Sequence, residues 1–265
     1  MSAKPRVRPP AVAGSFYPAD PRRLCAEVEA HLAAAAPAPP PAPRALIAPH
    51  AGYVYSGPVA GTAFRALAPR RAEIRRVVLL GPSHYVALRG LALPSAAAFS
   101  TPLGEVPLAA DAAALLAGLP QVVIDDRPHE REHSLEVELP FLQVVLGSFE
   151  LVALAAGEAE PEEVAAVLEH LWDGDATLVV VSSDLSHFLD HESAARRDRE
   201  TSRAIVALDE RRVGADDACG CVPVRGLLLA ARRRGLAARL LDLRSSGDTA
   251  GGRERVVGYG AYAFA

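Results

Sequence analysis

Three short apolar runs of the chain each lead to a histidine, a side chain that binds metal ions and transfers protons near neutral pH. His50 follows the run 44–48, His84 follows 77–81, and His187 follows 177–182. The runs are rich in Val, Leu and Ile, which is typical of buried strands. Because ligands bind in open α/β sheets where strands end and loops begin, we expect the three histidines at one rim of a sheet.

A cysteine that could serve a site, Cys219, lies just before a predicted helix at 222–234. A thiol at a helix start has its thiolate favoured by the helix dipole, which suits a nucleophile or a soft metal ligand. A small side chain packed at a helix start would give the same pattern. Cys221 lies deeper toward the helix, and we interpret it as incidental. With Cys25 the chain has three cysteines, which we expect to be free thiols or ligands rather than disulfides.

A carboxylate and an imidazole, Asp184 and His187, follow the third apolar run. Such a pair can orient a metal ligand or transfer protons near neutral pH. Asp184 could instead only cap a short turn. We favour a place at the site for both residues.

The segment His129-Glu-Arg-Glu-His133 matches the pattern of zinc proteases, in which two histidines share one face of a helix. Its context argues against a protease, because Pro128 precedes the first histidine and apolar periodicity begins only at Leu135. We therefore expect a loop that leads to a helix start. His133 could still point from that helix start into the crevice.

The elements that would position these residues alternate short strands with alanine-rich helices, the pattern of an α/β layered fold. We predict strands at 44–48, 77–81, 89–93, 122–125, 150–155, 177–182, 238–243 and 256–263. We predict helices at 20–35, 58–68, 109–118, 134–146, 161–172, 192–209 and 222–234, and an irregular hairpin within 97–107.

The length of 265 residues, half of them hydrophobic, allows one large core. We predict a single domain over 1–265, with a tail, a helix and a Pro/Ala-rich connection in 1–43 and an α/β core in 44–265. The N-terminus has charge but no apolar run behind it, which argues against a secretory signal, and no run is long enough to cross a bilayer. We expect a cytoplasmic protein.

Composition and motifs also disfavour several functions. A net charge of −4 gives no general attraction to nucleic acid or to an anionic membrane, so we expect neither as a partner. The chain has no phosphate-binding G-x-x-x-x-G-K-[ST] loop, no G-x-G-x-x-G after a strand and no G-x-S-x-G elbow. Nucleotide binding and serine hydrolysis are therefore disfavoured.

Six blocks of the sequence resemble the Memo-like proteins, known in prokaryotes as AmmeMemoRadiSam system protein B. They are Ala13-Gly-Ser-Phe-Tyr-Pro18, Ala48-Pro-His-Ala-Gly-Tyr53, Gly81-Pro-Ser-His84, Glu132-His-Ser-Leu-Glu-Val-Glu-Leu-Pro-Phe141, Ser182-Ser-Asp-Leu-Ser-His187 and Ala218-Cys-Gly220. The blocks occur in family order across nearly the whole chain. Their order makes the resemblance more specific than any single motif.

The resemblance implies a fold like that of the class III extradiol ring-cleavage dioxygenases, an α/β three-layer sandwich with a central mixed, largely parallel sheet. Those enzymes hold non-haem Fe(II) with two histidines and a glutamate, and Memo-like proteins resemble them with cysteine in place of the carboxylate. The implied metal ligands are His50, His84 and Cys219. Fe(II) is the implied metal, and two imidazoles with a thiolate would also accept copper or zinc.

The resemblance also implies a pocket around the metal. His133, Asp184 and His187 would line it as catalytic residues, with His133 or His187 as the proton-transfer group. Phe16, where the family often has tryptophan, and Tyr55 would contact a small-molecule or peptide substrate. Family naming implies two protein partners, a radical-SAM protein and AmmeMemoRadiSam protein A.

Three functions stay open at this point. The first is a metal-binding oxidoreductase, dioxygenase-like, of unknown substrate. The second is a non-catalytic peptide- or protein-binding module on a disused dioxygenase scaffold. The third is a hydrolase that uses Cys219 as nucleophile with a nearby histidine. The chain departs from the family pattern at Cys221 and Val222, which alters the expected pocket wall.

Overall fold

The computed structural model describes residues 6–37 and 39–265; residues 1–5 of the predicted tail and residue 38 of the predicted connection lie outside the described residues. The strands are β1 (Val7–Arg8), β2 (Ala45–Ala48), β3 (Arg76–Pro82), β4 (Leu91–Leu93), β5 (Ala98–Thr101), β6 (Gly104–Pro107), β7 (Val122–Ile124), β8 (Glu150–Ala156), β9 (Thr177–Ser182), β10 (His187–Leu189), β11 (Ala238–Ser245) and β12 (Val256–Phe264). The α-helices are α1 (Pro21–Ala34), α2 (Tyr53–Arg65), α3 (Ala112–Leu115), α4 (Arg127–Glu130), α5 (Leu139–Leu146), α6 (Pro161–Leu171), α7 (His191–Val206), α8 (Cys221–Arg233) and α9 (Ser246–Thr249). Short 3-10 turns lie at Ala68–Arg70, Glu136–Glu138 and Glu210–Arg212.

The main sheet has the strand order β10-β12-β2-β9-β3-β8-β4-β7, and β11 also pairs with β12. Its centre, β2-β9-β3-β8, is parallel. Antiparallel pairs flank this centre, between β12 and β2 on one side and between β4 and β8 on the other. Because the carboxyl ends of parallel strands share one edge, β2, β3 and β9 deliver the residues that follow them to the same rim.

Alternate residues of the central strands face opposite sides of the sheet, and each side carries its own apolar cluster. Val78 and Leu80 of β3 belong to the cluster that includes α6 and α8. Val77 and Leu79 belong to the cluster that includes α1, α2 and α5. The predicted three-layer sandwich with a central mixed, largely parallel sheet is confirmed.

A small second sheet, β1-β5-β6, includes the hairpin predicted within 97–107, which is antiparallel. The sheet brings Arg8 of β1 to the segment before α5, where its guanidinium bonds Glu136 and the carbonyl oxygens of His129 and Glu132. This buried cation therefore fixes the segment that carries His133.

Two predicted helices differ from the structure near the site. We predicted a helix over 58–68, whereas α2 begins at Tyr53 and holds Pro58 inside it. Burial of the Tyr53 ring, whose hydroxyl donates to the Val137 carbonyl at 2.8 Å, stabilises the earlier start. The predicted helix 134–146 is divided into a 3-10 turn and α5, because Pro140 has no N–H to continue the ladder from that turn.

The remaining helices follow the predicted order, although α3 is shorter than the predicted 109–118. Within residues 6–37 and 39–265, no helix combines the length and the apolar character needed to cross a bilayer.

Candidate metal centre

His50 lies beyond the end of β2, after Pro49, and is buried, with 2% of its surface exposed. Its main-chain N–H donates to Oδ1 of Asp184 at 2.8 Å, so the loop after β9 fixes the loop after β2. The ring nitrogen Nδ1 lies 2.7 Å from the hydroxyl oxygen of Ser182. The other ring nitrogen, Nε2, points to the sulfur of Cys219 at 3.4 Å.

His84 follows β3 and is bound by one carboxylate at two points. Glu132 accepts the main-chain N–H of His84 at 2.6 Å and lies 2.8 Å from Nδ1 of its ring. Burial alone would raise the pKa of Glu132, but the hydrogen bonds from His84 and from the Ser134 N–H outweigh it and lower the pKa to about 2. An ionised carboxylate only accepts, so Nδ1 of His84 carries a proton, and Nε2 is the ring nitrogen that would bind a metal.

His133 is held between two rings. Its imidazole is stacked on that of His84, with 4.7 Å between ring centroids, and the ring of Phe16 lies 4.8 Å away. The main-chain N–H of His133 donates to Glu132 at 2.9 Å. Its Nδ1 is buried and lies 3.3 Å from Oε1 of Glu132, but it makes no hydrogen bond among the described residues.

The three imidazoles form one cluster, in which one ligand atom from each of His50, His84 and His133 lies within 4.8 Å of the others. Burial lowers the pKa of His50 well below its ordinary value, and the nearby His133 lowers it further. Burial also lowers the pKa of His133. Neutral imidazoles with free lone pairs are good ligands for zinc, copper and Fe(II), so this donor set, with its unpartnered buried nitrogen, fits a metal ion.

Cys219 lies two residues before α8, and its sulfur lies 3.4 Å from Nε2 of His50, at the edge of the imidazole cluster rather than within it. A Cβ on Gly220 would lie only 2.8 Å from the Ser182 carbonyl oxygen, so glycine allows this turn to approach the end of β9. We expected the helix start to favour the thiolate, but burial and then the charge of Asp184 raise the pKa of the Cys219 thiol. The half-buried Cys221 packs against the apolar cluster of α6 and α8.

Asp184 and His187 lie in and after the loop that follows β9. Asp184 is buried and accepts the N–H groups of His50 and Ala51, and no helix follows it that it could cap. Burial raises its pKa to about 7. His187 begins β10, and its Nδ1 donates to the Leu185 carbonyl at 2.8 Å, which leaves Nε2 unprotonated. Burial lowers the pKa of His187.

A cavity of about 440 Å³ opens beside the cluster. Its wall contains four residues that we predicted at the site, namely Phe16, Tyr55, His133 and Asp184. A second cavity, of about 480 Å³, reaches Cys219 from the side of the loop after β3. His187 lines neither cavity.

Two residues that orient the imidazoles, Glu132 and Ser182, were not predicted from the sequence. Glu132 also accepts the Ser134 N–H at 2.9 Å and so anchors the start of the segment that leads to α5. An available signal was the run of acids at Glu132, Glu136 and Glu138 among apolar residues, because acids inside an apolar run must find partners when it is buried.

The two histidines of the zinc-protease pattern, His129 and His133, do not share one face of a helix in the structure. His129 is buried, and its Nε2 donates to the Ala92 carbonyl at 3.0 Å, away from the imidazole cluster. Its helix, α4, is a single turn that ends at Glu130, before His133. The two histidines of the pattern therefore have separate roles.

Comparisons with known proteins agree with this architecture. A MEMO1 family protein of Methanopyrus kandleri is 35% identical, with 97% of this chain and 98% of that protein covered. One of Sulfolobus acidocaldarius is 35% identical, with 96% and 97% covered. An uncharacterized protein from Escherichia coli K12 of known crystal structure has a TM-score of 0.50 at 14% identity, covering 82% of this chain and 98% of that one, which bears on the fold alone.

The family description "Memo-like protein" matches residues 8–263 of the chain. The matched range includes every residue of the imidazole cluster and Cys219. The chain therefore belongs to the Memo-like protein family.

Proposed function

We propose that the protein is a metal-dependent, dioxygenase-like oxidoreductase that holds Fe(II) with His50, His84 and His133, and with Cys219 as the fourth donor. The observation that carries this proposal is the cluster of three imidazoles within 4.8 Å, beside a cavity. His50 and His84 were predicted as ligands from the sequence, and His133 adds a third nitrogen.

The position of Cys219 supports its place in the donor set. Two ligands bound at about 2.0 and 2.3 Å to one ion at a near-tetrahedral angle lie roughly 3.5 Å apart. The sulfur of Cys219 lies 3.4 Å from Nε2 of His50. Although burial raises the pKa of the thiol, a bound cation would supply the positive charge that the thiolate needs.

We propose Fe(II) rather than zinc as the working metal because an oxygenase needs open coordination positions on its metal. Four protein donors complete the tetrahedral shell of zinc, whereas an octahedral ion keeps two positions open. When bound, Fe(II) would supply open coordination positions and a redox-active centre, and the substrate would be the net source of the electrons that O₂ accepts. Copper and zinc remain alternatives, and a binding competition between the three metals would show which one the site prefers.

The chain's own residues would bind the substrate and move a proton. Phe16 and Tyr55 line the cavity and would pack against a planar substrate, while His133 faces it from the cluster. Asp184 also lines the cavity, and its pKa of about 7 lets its carboxyl accept or release a proton at neutral pH. The role in proton transfer that we predicted for His133 or His187 stays a prediction, and it would fall to His187 if His133 binds the metal.

A second candidate is a binding module that recognises a peptide or protein without turnover. The cavity supports it, because Phe16, Tyr55 and Tyr259 give it aromatic walls and Arg255 adds a cation at its edge. Its partners would be a radical-SAM protein and AmmeMemoRadiSam protein A. The hydrolase hypothesis has less support, because Cys219 and His50 are both held in their neutral forms rather than as a thiolate–imidazolium pair.

Anaerobic titration of the purified protein with Fe(II), followed by calorimetry, tests the proposal. We expect one tight site in the wild type, with binding lost or weakened at least tenfold in His50→Ala, His84→Ala and His133→Ala. His170→Ala, at an exposed histidine remote from the cluster, is the matched control and should bind like the wild type. An Fe(II) affinity that is the same in the wild type and in all three cluster variants would contradict the metal centre and favour the binding module.

A further inference from the structure

A buried carboxyl group, that of Glu138, lies behind the metal centre and is connected to His50 through one hydroxyl. The Ser182 oxygen is 2.7 Å from Nδ1 of His50, 2.7 Å from Oε1 of Glu138 and 2.6 Å from the carbonyl oxygen of Ser134. Ser182 and Glu138 are both fully buried. One hydroxyl therefore makes three short contacts out of reach of solvent.

Counting protons over these three contacts leaves one arrangement. Each contact needs one proton, and the Ser134 carbonyl can only accept. Ser182 must therefore donate its single proton to Ser134, because no other proton is available for that contact. The two remaining contacts then need Nδ1–H of His50 and a protonated carboxyl on Glu138 as donors into the two lone pairs of Ser182.

The surroundings of Glu138 favour the same protonation state. Its second oxygen, Oε2, is buried and has no hydrogen-bond partner among the described residues, which would be costly for a full carboxylate. Burial raises the pKa of Glu138 well above its ordinary value, and the charge acting on it comes from Asp184 rather than from a cation.

A nearby acid shows the opposite environment. The carboxylate of Glu136, equally buried, accepts from the Arg8 guanidinium, from the main-chain N–H of Val12 at 3.0 Å and from the Tyr17 hydroxyl at 2.6 Å. Its donors include a cation, as an ionised acid requires. Among the described residues, Glu138 has one hydrogen-bond partner, Ser182, whose single proton is already used in the contact with Ser134.

We propose that Glu138 is a neutral carboxylic acid and a positioning residue, which through Ser182 holds His50 in the tautomer that presents Nε2 to a metal. The Ser182 hydroxyl also joins His50 to Ser134, the residue after His133, and so sets the spacing of two imidazoles of the cluster. If Glu138 were ionised, the Ser182 hydroxyl would donate its hydrogen bond to the carboxylate, and its hydrogen bond to the Ser134 carbonyl would be lost. The role in metal binding rests on the proposed function, whereas the protonation state does not.

Infrared spectroscopy of the metal-free protein at pH 8 tests the protonation state. We expect a carbonyl band of a protonated carboxylic acid in the wild type that is missing in Glu138→Gln. Glu210→Gln, at a buried acid that pairs with Arg232, is the matched control and should keep the band. Indistinguishable wild-type and Glu138→Gln spectra in this band would overturn the proposal.

Nitrogen-15 NMR of labelled histidines tests the tautomer in the same metal-free samples. We expect Nδ1 of His50 to carry the proton in the wild type and in Glu138→Gln, whose amide also donates to Ser182. A proton on Nε2 of His50 in the wild type would overturn the proposal. Both spectra are independent of iron, so a wild type with the acid band and the Nδ1 proton but no metal affinity would contradict only the proposed function.

Metal affinity of folded variants tests the positioning role. Glu138→Leu removes one of the three contacts that fix the Ser182 hydroxyl, and we expect Fe(II) affinity to fall about tenfold, in the range for residues that orient metal ligands. Glu138→Gln keeps a neutral donor and should stay within about threefold of the wild type. An unchanged affinity in Glu138→Leu, or an equal loss in both variants, would overturn the positioning role.

Discussion

Glu132 binds His84 twice, through the main-chain N–H at 2.6 Å and through Nδ1 of the ring at 2.8 Å. The same carboxylate accepts the main-chain N–H groups of His133 and Ser134. One side chain therefore fixes two imidazoles of the cluster, although only Nε2 of His84 would reach the metal. Its removal should affect metal binding without the loss of any ligand.

We expect Glu132→Ala to lower Fe(II) affinity by about 10- to 100-fold, the usual effect of losing a carboxylate that orients a histidine ligand. Calorimetry measures this change, and circular dichroism checks that the variant is folded. Glu130→Ala is the matched control, because Glu130 is largely exposed and, among the described residues, its side chain makes one long ion pair, with Arg6. Equal affinity in Glu132→Ala and the wild type would show that His84 does not bind the metal as oriented here.

Cobalt(II) substitution should reveal whether Cys219 is a ligand. A thiolate bound to Co(II) gives an intense ultraviolet charge-transfer absorption, whereas imidazole ligands do not. We expect the absorption in the wild type and in His133→Ala, and its loss in Cys219→Ser, because the Cys219 sulfur lies beside Nε2 of His50. Cys221→Ser should retain it, since Cys221 packs against the apolar core. An unaltered absorption in Cys219→Ser would remove Cys219 from the donor set.

His129 should make the protein less stable in acid. Burial lowers the pKa of His129 from 6.5 to about 4, so below pH 6.5 the unfolded chain takes up the proton before the folded protein does. Stability from this group is therefore complete above pH 6.5 and falls until about pH 4, by roughly 3 kcal/mol in total.

Urea unfolding at several pH values measures this loss. His129→Gln, which can still donate to the Ala92 carbonyl, should lose less stability than the wild type between pH 6.5 and 4. His170→Gln, at an exposed position, should follow the wild type. Parallel pH profiles of the wild type and His129→Gln would contradict the assignment.

Arg8→Met should destabilise the fold by about 3–5 kcal/mol, because it leaves the buried carboxylate of Glu136 without its cation. The double variant Arg8→Met/Glu136→Gln should recover part of the loss. Arg6→Met is the control, since the exposed guanidinium of Arg6 pairs with Asp126 at the surface, where such pairs contribute about 1 kcal/mol or less. Denaturant unfolding measures the free energy of unfolding of each variant. Equal losses in Arg8→Met and Arg6→Met would contradict this account.

The sequence predicted the strands and the histidines after them because those signals are local. The apolar runs that became β3 and β9 are short and rich in valine, and His50 and His84 lie two residues after the ends of β2 and β3. Burial, which depends on the whole fold, raises the pKa of the Cys219 thiol, and the position of Cys219 at a helix start does not reveal this.

The groups that orient the imidazoles could not be predicted, since they depend on contacts between distant segments. Glu132 meets His84 across 48 positions of the chain, and Ser182 meets His50 across 132. His133 was predicted in the pocket, but its stacking on His84 could not be, because Glu132 accepts the main-chain N–H groups of both histidines and so brings two distant segments together.

The most direct test of the metal centre is an anomalous diffraction map at the iron edge, from crystals grown anaerobically with Fe(II). We expect one strong peak within about 2.0–2.4 Å of Nε2 of His50, Nε2 of His84 and the Cys219 sulfur, with a nitrogen of His133 in contact. A map with no peak at these residues, or with the peak at another place on the protein, would contradict the claim that this cluster is a metal centre.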